Sequence, residues 1–261
     1  MNLLQDKRLK SVRWKDLTAL SVKETFIENS INIPWLVLSL FFAWKHWYIM
    51  ALPCSFLFFL TGLRQVHNGF HYTLGTSKQL TELTIVINSV LMITAMHAVK
   101  FNHMRHHKYC LQDADVEGHC AKMTALQALL YGPVYIYRQH AEALRGGNKS
   151  IIQFIGAELL LTITFGIAAF ALHIGFLEYH IITMAAGECC TAFFAVWTVH
   201  HDCDEEVFAR TLSNRWKNRF TYNMFYHLEH HLFPKVPTIK LPELSKRLKE
   251  EIPDLQAKEV F

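Results

Sequence analysis

Apolar stretches long enough to cross a membrane occur twice along the chain, each time as a pair separated by only a few residues. The first pair covers about 26–44 and 47–63, and the second covers about 151–172 and 176–199. A helix that spans a bilayer needs about 20 mostly apolar residues, with a working range of about 17–25. The pattern therefore predicts an all-α membrane protein with four transmembrane helices in two hairpins, forming one domain over 1–261.

The more polar remainder, 64–150 and 200–261, is expected to form a helical cap on one face of the membrane. Two segments within it are still apolar. We expect Leu83–Val99 to dip into the membrane face or lie on it, because a crossing would place histidine-rich segments on opposite sides. Leu126–Tyr137, with a Gly-Pro pair in its middle, is expected to be interfacial.

Composition and charge strengthen the membrane assignment over a soluble protein with very apolar core helices. The chain is 51% hydrophobic and only 18% charged, against about 25% charged residues in typical soluble domains. Of its 26 Lys and Arg residues, only Lys45 lies in the two predicted outer loops. The positive-inside rule therefore places both termini and the cap in the cytoplasm. A net charge of +4 without a long basic run indicates no nucleic-acid partner.

Histidines are the candidate metal ligands, because the chain has 16 of them and ten fall in four tight groups. Spacings of i, i+3, i+4 place imidazoles on one face of a helix, where they can bind one metal. One zinc ion is satisfied by four ligands, whereas eight or nine imidazoles suit two iron ions. The Glu-x-x-His repeats of ferritin-like proteins are absent, so the ligands are nearly all histidine. The groups are His67 and His71; His103, His106 and His107; His200 and His201; His227, His230 and His231.

Three motifs carry a family resemblance: H-N-G-F-H, H-M-R-H-H followed by D-A-D, and N-M-F-Y-H-L-E-H-H-L-F-P-K-V-P. Over roughly Gly62–Leu248 the chain resembles the membrane fatty acid desaturase superfamily, the histidine-box di-iron integral membrane oxidases. The resemblance implies a four-span bundle under a cytoplasmic cap that holds two irons. One further ligand is implied at His200 or His201, of which we favour His200. The other implied iron ligands are His67, His71, His103, His106, His107, His227, His230 and His231.

Residues that hold the ligands in place are harder to predict. The family's first motif commonly reads H-D-x-x-H, and here Asn68 takes the place of the acid, so it can support a ligand only through its amide oxygen. A metal-bound imidazole usually donates its other N–H to a carboxylate or carbonyl group. The carboxylates near the motifs could instead be solvated loop charges. They are Asp113, Asp115, Asp202, Asp204 and Glu229. The six other histidines are expected to be bystanders, with His97 the nearest to a motif.

The resemblance implies an O2-dependent oxidoreductase that introduces a double bond into the acyl chain of a fatty acid or lipid, with two iron ions (Fe2+/Fe3+) as cofactors. Alternatives are a hydroxylase or carotenoid ketolase of the same superfamily, or a membrane metal transporter or metal-binding protein. A transporter would place polar ligands inside the spans. We find no cytochrome b5-like extension and no flavin or nicotinamide fingerprint. A separate electron donor of ferredoxin, rubredoxin or cytochrome b5 type is therefore expected, together with an apolar acyl-lipid substrate and surrounding membrane lipid.

Overall fold

The computed structural model describes residues 3, 6–204, 206–255 and 257–260, and this part of the chain is mostly helical. One pair of short parallel strands, β1 (Arg210–Thr211) and β2 (Lys258–Glu259), joins the C-terminal end to the region after the spans. A π-helical segment covers Ala192–Trp197, and short 3₁₀ helices cover Lys7–Lys10, Lys15–Thr18, Gly118–Lys122 and Thr238–Lys240. The α-helices are α1 Val22–Ser30, α2 Ile33–Trp44, α3 Tyr48–Phe70, α4 Lys78–Leu91, α5 Met96–Tyr109, α6 Ala125–Leu130, α7 Gly132–Gly146, α8 Lys149–Ala171, α9 Gly175–Thr191, α10 Thr198–His200, α11 Arg215–Phe220, α12 His227–Leu232 and α13 Leu241–Glu251.

Four helical segments of the described chain are long and apolar enough to cross a membrane. They are Val22–Trp44, which combines α1 and α2, Tyr48–Phe70, Lys149–Ala171 and Gly175–His200. The first two pack together as one hairpin and the last two as another. These findings confirm the predicted all-α architecture with four candidate spans. The observed bounds agree with the expected ones within a few residues, except at the end of the second span.

That second span, α3, continues to Phe70 instead of ending near residue 63. The apolar run stops at Arg64 and Gln65, but both side chains are buried against α1. The Arg64 guanidinium pairs with the Glu28 carboxylate, and the Gln65 amide donates to the Glu28 carbonyl oxygen over 3.0 Å. Because these polar groups have partners inside the bundle, the helix extends by two turns and carries His67 with it.

The segment between the hairpins consists of α4 and α5, which meet at an angle of 115°. Polar groups tie this bend to the spans: Asn88 at the end of α4 accepts a hydrogen bond from Asn32 over 2.9 Å, and Ser89 donates to Glu158 of α8 over 2.7 Å. The bend lets α5 return to the end of the bundle where α3 finishes. The histidines of α3 and α5 therefore lie at the same end of the helix bundle.

Residues 126–137, which we expect at the membrane interface, form α6 and the start of α7. The start of α7 is in close contact with α9. Leu126, Leu130 and Tyr137 present exposed apolar surface. Gly132 begins α7 so near α9 that a Cβ atom there would lie 1.6 Å from the carbonyl oxygen of Cys189. Only glycine allows this approach.

The N-terminal segment and α13 pack together next to α12. The N-terminal segment contributes Val12 and Leu17 to an apolar core that includes Leu244 and Leu248 of α13. Tyr226, the residue before α12, belongs to the same core. These contacts hold α12, with its three histidines, against α13 and the N-terminal segment.

Candidate metal centre

Four helices bring nine of the ten grouped histidines together. The last turn of α3 and its C-cap provide His67 and His71, α5 provides three, the end of the fourth span provides His200, and α12 provides three. The ends of separate helices thus converge on one place, as the spacing predicts. Their ring nitrogens form two groups.

The five-histidine group consists of His67, His71, His103, His107 and His230. One ligand nitrogen from each lies within 4.8 Å of all the others. The Nε2 atom of His103 is 3.0 Å from that of His71 and 3.1 Å from that of His107. His107 Nε2 is 2.9 Å from His230 Nε2. Nε2 of His67 is buried and has no hydrogen-bond partner.

We define the four-histidine group as His106, His200 and His231, whose ligand nitrogens lie within 4.8 Å of one another, together with His227, which contacts His200 and His231. His200 Nε2 lies 3.0 Å from His106 Nε2 and 2.8 Å from His227 Nε2, and His227 Nε2 lies 3.1 Å from His231 Nε2. The Cys110 thiol is also within 4.8 Å of three of these rings. His227 completes the group through its Nε2 contacts to His200 and His231, whereas burial raises the pKa of the Cys110 thiol.

His201, the alternative to His200, lies outside both groups. Its ring stacks on Trp197, with centroids 4.0 Å apart, and its Nδ1 donates to the Trp197 carbonyl oxygen over 2.9 Å. The structure thus separates two adjacent histidines that the sequence left nearly equal. His200 points into the centre and His201 points away from it.

The outer nitrogens of three rings face acceptors. His103 Nδ1 is 3.0 Å from the Glu117 carboxylate, His106 Nδ1 is 2.7 Å from Asp115, and His200 Nδ1 is 2.7 Å from the Phe208 carbonyl oxygen. A carbonyl oxygen only accepts hydrogen bonds, so the Nδ1 of His200 carries the proton and its Nε2 carries a lone pair. These contacts orient the Nε2 lone pairs toward the centre.

Asp115 is the one expected carboxylate that the described residues place against a grouped histidine. It also accepts backbone N–H groups from Leu111 and Gly118, over 2.9 and 2.8 Å. Burial would raise the pKa of Asp115, but its hydrogen bonds and the charge of His106 lower it, so the carboxylate is ionised. An ionised, fully bonded carboxylate is a fixed acceptor for His106.

The other expected supports have different contacts. The Asn68 amide oxygen accepts from the Thr238 hydroxyl over 2.7 Å, and its amide nitrogen donates to Glu28 over 2.7 Å. Glu229 accepts from Thr211 and Ser245 over 2.7 Å each, which ties α12 to β1 and α13. Three exposed aspartates do not contact the grouped histidines in the described part of the chain: Asp113, Asp202 and Asp204.

Burial keeps most of these imidazoles neutral. Desolvation, together with neighbouring histidines, lowers the pKa of the rings outside the spans well below the ordinary value, at His71, His107, His227, His230 and His231. Burial also opposes protonation of His106, but the hydrogen bond to Asp115 and the charge of Glu117 raise its pKa. Neutral imidazole is the form that binds metals.

The nitrogen spacing fits metal ions. His106 and His200 both direct Nδ1 at an acceptor, so in their neutral forms two Nε2 lone pairs face each other at 3.0 Å and repel unless a cation or a proton lies between them. Two nitrogens bound at about 2.1 Å, and at right angles, lie about 3.0 Å apart, whereas a tetrahedral site separates them by about 3.4 Å. The observed spacing favours ions with more than four ligands, one in each group.

A family model described as fatty acid desaturase matches residues 42–260. The chain belongs to the fatty acid desaturase family. This confirms the resemblance drawn from the three motifs. A search of curated proteins finds no significant match. Membership supports an oxidoreductase of the desaturase or hydroxylase type, and the two histidine groups are compatible with the di-iron centre known for that family.

A mostly apolar cavity of about 90 Å³ lies between the histidines of this desaturase-family chain and side chains of the candidate spans. His67, His103 and His230 of the five-histidine group line it, and so does His227 of the four-histidine group. Most of the remaining wall is apolar and comes from α3, the start of α5, the π-helical segment and the residues around α12, among them Leu63, Phe70, Val99, Phe194, Val199 and Leu241. The cavity is therefore a mostly apolar space in contact with both groups, with Arg64 and Glu117 also in its wall.

Glu117 and the Phe208 carbonyl group are functional contacts that the sequence reasoning missed. Glu117 lies two residues after the D-A-D run, and this proximity to the second motif was the available signal. No side-chain pattern can reveal a backbone carbonyl such as that of Phe208. In the desaturase-family chain both contact the outer nitrogen of a grouped histidine, Glu117 at His103 and the Phe208 carbonyl oxygen at His200.

The six remaining histidines lie outside both groups. His97 is held between Glu158 and Glu82, with its Nδ1 and Nε2 at 2.6 and 2.8 Å from the two carboxylates. His180 Nε2 donates to the Leu91 carbonyl oxygen over 2.7 Å. These contacts are structural. The others are His46, His119, His140 and His173.

Proposed function

We propose that the protein is an O2-dependent di-iron oxidoreductase that introduces a double bond into the acyl chain of a fatty acid or lipid. The observation that carries the proposal is the apolar cavity bordered by both histidine groups. A reaction on an unactivated C–H bond needs a dry pocket that places a methylene group beside the metal centre. Desaturation also removes two hydrogens from adjacent carbons, and a cavity that touches both groups suits that requirement.

Nine histidines would hold the two irons, five in one group and four in the other. Imidazole nitrogen is a suitable donor for iron, and the spacing of these donors fits. The irons would supply the oxidation with O2 as co-substrate. The ligands proposed are His67, His71, His103, His107 and His230 for one ion and His106, His200, His227 and His231 for the other.

The chain's own residues have three tasks in this proposal. Asp115, Glu117 and the Phe208 carbonyl group hold imidazole rings in one tautomer and orientation. The apolar wall excludes water and positions the chain of the substrate. Phe194, which lines the cavity and is 41% exposed on a candidate span, offers a route by which the acyl chain enters from the bilayer.

We propose a cytoplasmic location for both termini and for the metal centre, because the Lys and Arg residues are concentrated away from the two short outer loops. Electrons would come from a separate donor of ferredoxin, rubredoxin or cytochrome b5 type.

Expression in a host with a simple lipid profile tests the reaction. The host lipids and added carotenoids are compared by mass spectrometry between the wild-type chain and His231→Ala, and iron is measured on both purified proteins. A loss of two hydrogens from an acyl chain, dependent on His231, supports a desaturase. A gain of oxygen identifies a hydroxylase or ketolase instead. Stoichiometric zinc without oxidation of any lipid rejects the di-iron proposal in favour of a metal-binding protein.

A further inference from the structure

A second cavity, of about 1030 Å³, lies behind α5. Its walls come from α4, α5 and the first two turns of α8. Lys100, Met104 and Lys108 succeed one another at i, i+4 spacing and line this cavity, whereas His103 and His107 belong to a different face of α5 and enter the metal centre. The helix therefore separates this cavity from the one between the histidine groups.

The cavity runs along the start of α8, which is a candidate membrane span. Lys78 begins α4 and Asn148 caps α8 at the rim, and both helices run inward from there. They stay side by side, since Ser89 of α4 donates to Glu158 of α8. The deeper lining has an apolar part, with Leu83, Val86, Ile151 and Phe154, beside the paired His97 and Glu82. Because α8 is a candidate span, this apolar part is suited to an acyl chain.

The rim is cationic. Four basic side chains line the cavity, against one carboxylate, Glu82, which pairs with Lys100 over 2.9 Å. The ammonium groups of Lys78 and Lys100 lie 5.8 and 4.4 Å from the centre of the same Tyr72 ring, so they converge. Among the described residues, no carboxylate lies within 4.0 Å of the Lys78 or Lys108 ammonium. This leaves positive charge free for an anion.

Arg105 adds a third donor at the rim. Its guanidinium reaches Glu142 at only 3.4 Å, and its buried Nε has no hydrogen-bond partner in the described part of the chain. Guanidinium and ammonium groups around one concave surface match the geometry and charge of a phosphate. An apolar floor under such a rim matches a molecule that carries both a phosphate and an acyl chain.

We propose that this cavity binds an anionic phospholipid, with its phosphate among Lys78, Arg105 and Lys108 and an acyl chain against Leu83, Val86 and Phe154. The bound lipid fills the space behind the helix that carries three metal-site histidines, so it supports that helix from the membrane side. The site does not depend on turnover or on the identity of the reaction.

Native mass spectrometry of the iron-loaded full-length protein in detergent tests this binding. Phosphatidylglycerol and phosphatidylcholine with identical acyl chains are titrated separately. We expect one phosphatidylglycerol to bind with at least about tenfold preference, and Lys78→Gln/Lys108→Gln to lower its affinity by about tenfold or more. Leu83→Trp, which obstructs the acyl part, should also weaken binding. The matched control Lys122→Gln/Lys246→Gln removes two exposed charges elsewhere and should leave the affinity unchanged.

Several results would overturn the proposal. They are equal binding of the two lipids, an equal loss of affinity in the control, and unchanged affinity in Leu83→Trp. Complete displacement of the lipid by inorganic phosphate at about tenfold excess over lipid would indicate a site for free anions instead. Iron content is measured on every variant as a check of folding. The single variants Lys78→Gln and Lys108→Gln replace the double variant if it loses iron.

Discussion

The two nitrogens of each grouped imidazole have separate uses. Where contacts are defined, Nε2 points to the centre, and the Nδ1 atoms of His103, His106 and His200 face an acceptor behind the ring. Because these acceptors fix both the tautomer and the ring plane, the Nε2 lone pairs are directed before a metal arrives. His201 also donates its Nδ1–H to a backbone carbonyl oxygen, but its ring stacks on Trp197 outside both groups, so it is not placed to bind the same metal.

The first prediction compares the two neighbours His200 and His201. His200→Ala removes a nitrogen that lies 2.8–3.0 Å from two other ligands, so we expect the loss of about one of two irons and of lipid oxidation. His201→Ala removes a ring stacked on Trp197 and should keep both irons. Iron per protein, measured by plasma emission spectrometry, checks the pair. A similar loss of iron in both variants would contradict the assignment.

The second prediction concerns the carboxylate behind His106. Asp115→Asn replaces an ionised acceptor with an amide, so the Nε2 of His106 becomes a weaker donor to metal. We expect metal affinity to fall by about 10–100-fold. Asp113→Asn is the matched control, since Asp113 is fully exposed, and it should leave affinity unchanged. Competition for iron by a chelator of known affinity measures both. Equal iron retention in the two variants would show that Asp115 does not support a ligand.

Spacing in the sequence is enough to find the histidines but not the groups behind them. Local periodicity brings His103, His106 and His107 onto one turn, whatever the rest of the fold does. Asp113, Asp115 and Glu117 all lie in one short loop, and only its tertiary path decides which of them turn inward. Every residue has a backbone carbonyl group, so the contact made by the Phe208 carbonyl cannot be recognised from the sequence.

At the scale of helices, the bent α4–α5 pair decides whether the centre can form. Its bend is held by a buried polar chain in which Glu158 of α8 accepts from Ser89 and from the backbone N–H and ring of His97. The ring's other nitrogen reaches Glu82. Polar side chains inside a membrane segment are costly unless they are paired. These hydrogen bonds therefore hold α4, α5 and α8 together in one specific arrangement.

The third prediction tests that joint. Glu158→Leu leaves the hydroxyl of Ser89 and two N–H groups of His97 without their acceptor, at about 1–3 kcal/mol for each buried group. We expect the melting temperature in detergent to fall by several degrees, with partial loss of iron. Glu158→Gln keeps an acceptor oxygen and should show a much smaller loss. Equal melting temperatures and equal iron contents of Glu158→Leu and Glu158→Gln would show that these hydrogen bonds do not hold the three helices together.

The fourth prediction concerns the crossing of α7 and α9. Gly132→Ala would place a Cβ atom 1.6 Å from the Cys189 carbonyl oxygen, so the helices must separate, which costs about 1–3 kcal/mol. Gly156→Ala, in α8, has open space at that position and should be neutral or stabilising by up to about 1 kcal/mol. Thermal unfolding of both variants in the same detergent measures the difference. Equal melting temperatures of Gly132→Ala and Gly156→Ala would contradict a close contact between α7 and α9 at Gly132.

For the molecule as a whole, hydrophobicity predicts the four spans, but not how the polar segments between them fold. The extension of α3 past residue 63 depends on Glu28, which lies in another helix and pairs with Arg64. The return of α5 depends on Glu158, about 60 residues further along the chain. These long-range polar contacts are invisible to a window of apolar residues, yet they bring all nine histidines to one end of the bundle.

The last prediction is the orientation of that end in the membrane. Because the outer loops contain only Lys45 among the basic residues, we expect the metal-centre end to face the cytoplasm. Alkaline phosphatase, active only outside the cytoplasm, should be active when fused after His46, and a fluorescent protein fused after Leu255 should fluoresce. Each reporter at the opposite position is the control and should be inactive. Reversed activities would place the histidines outside, where a cytoplasmic electron donor cannot reach them.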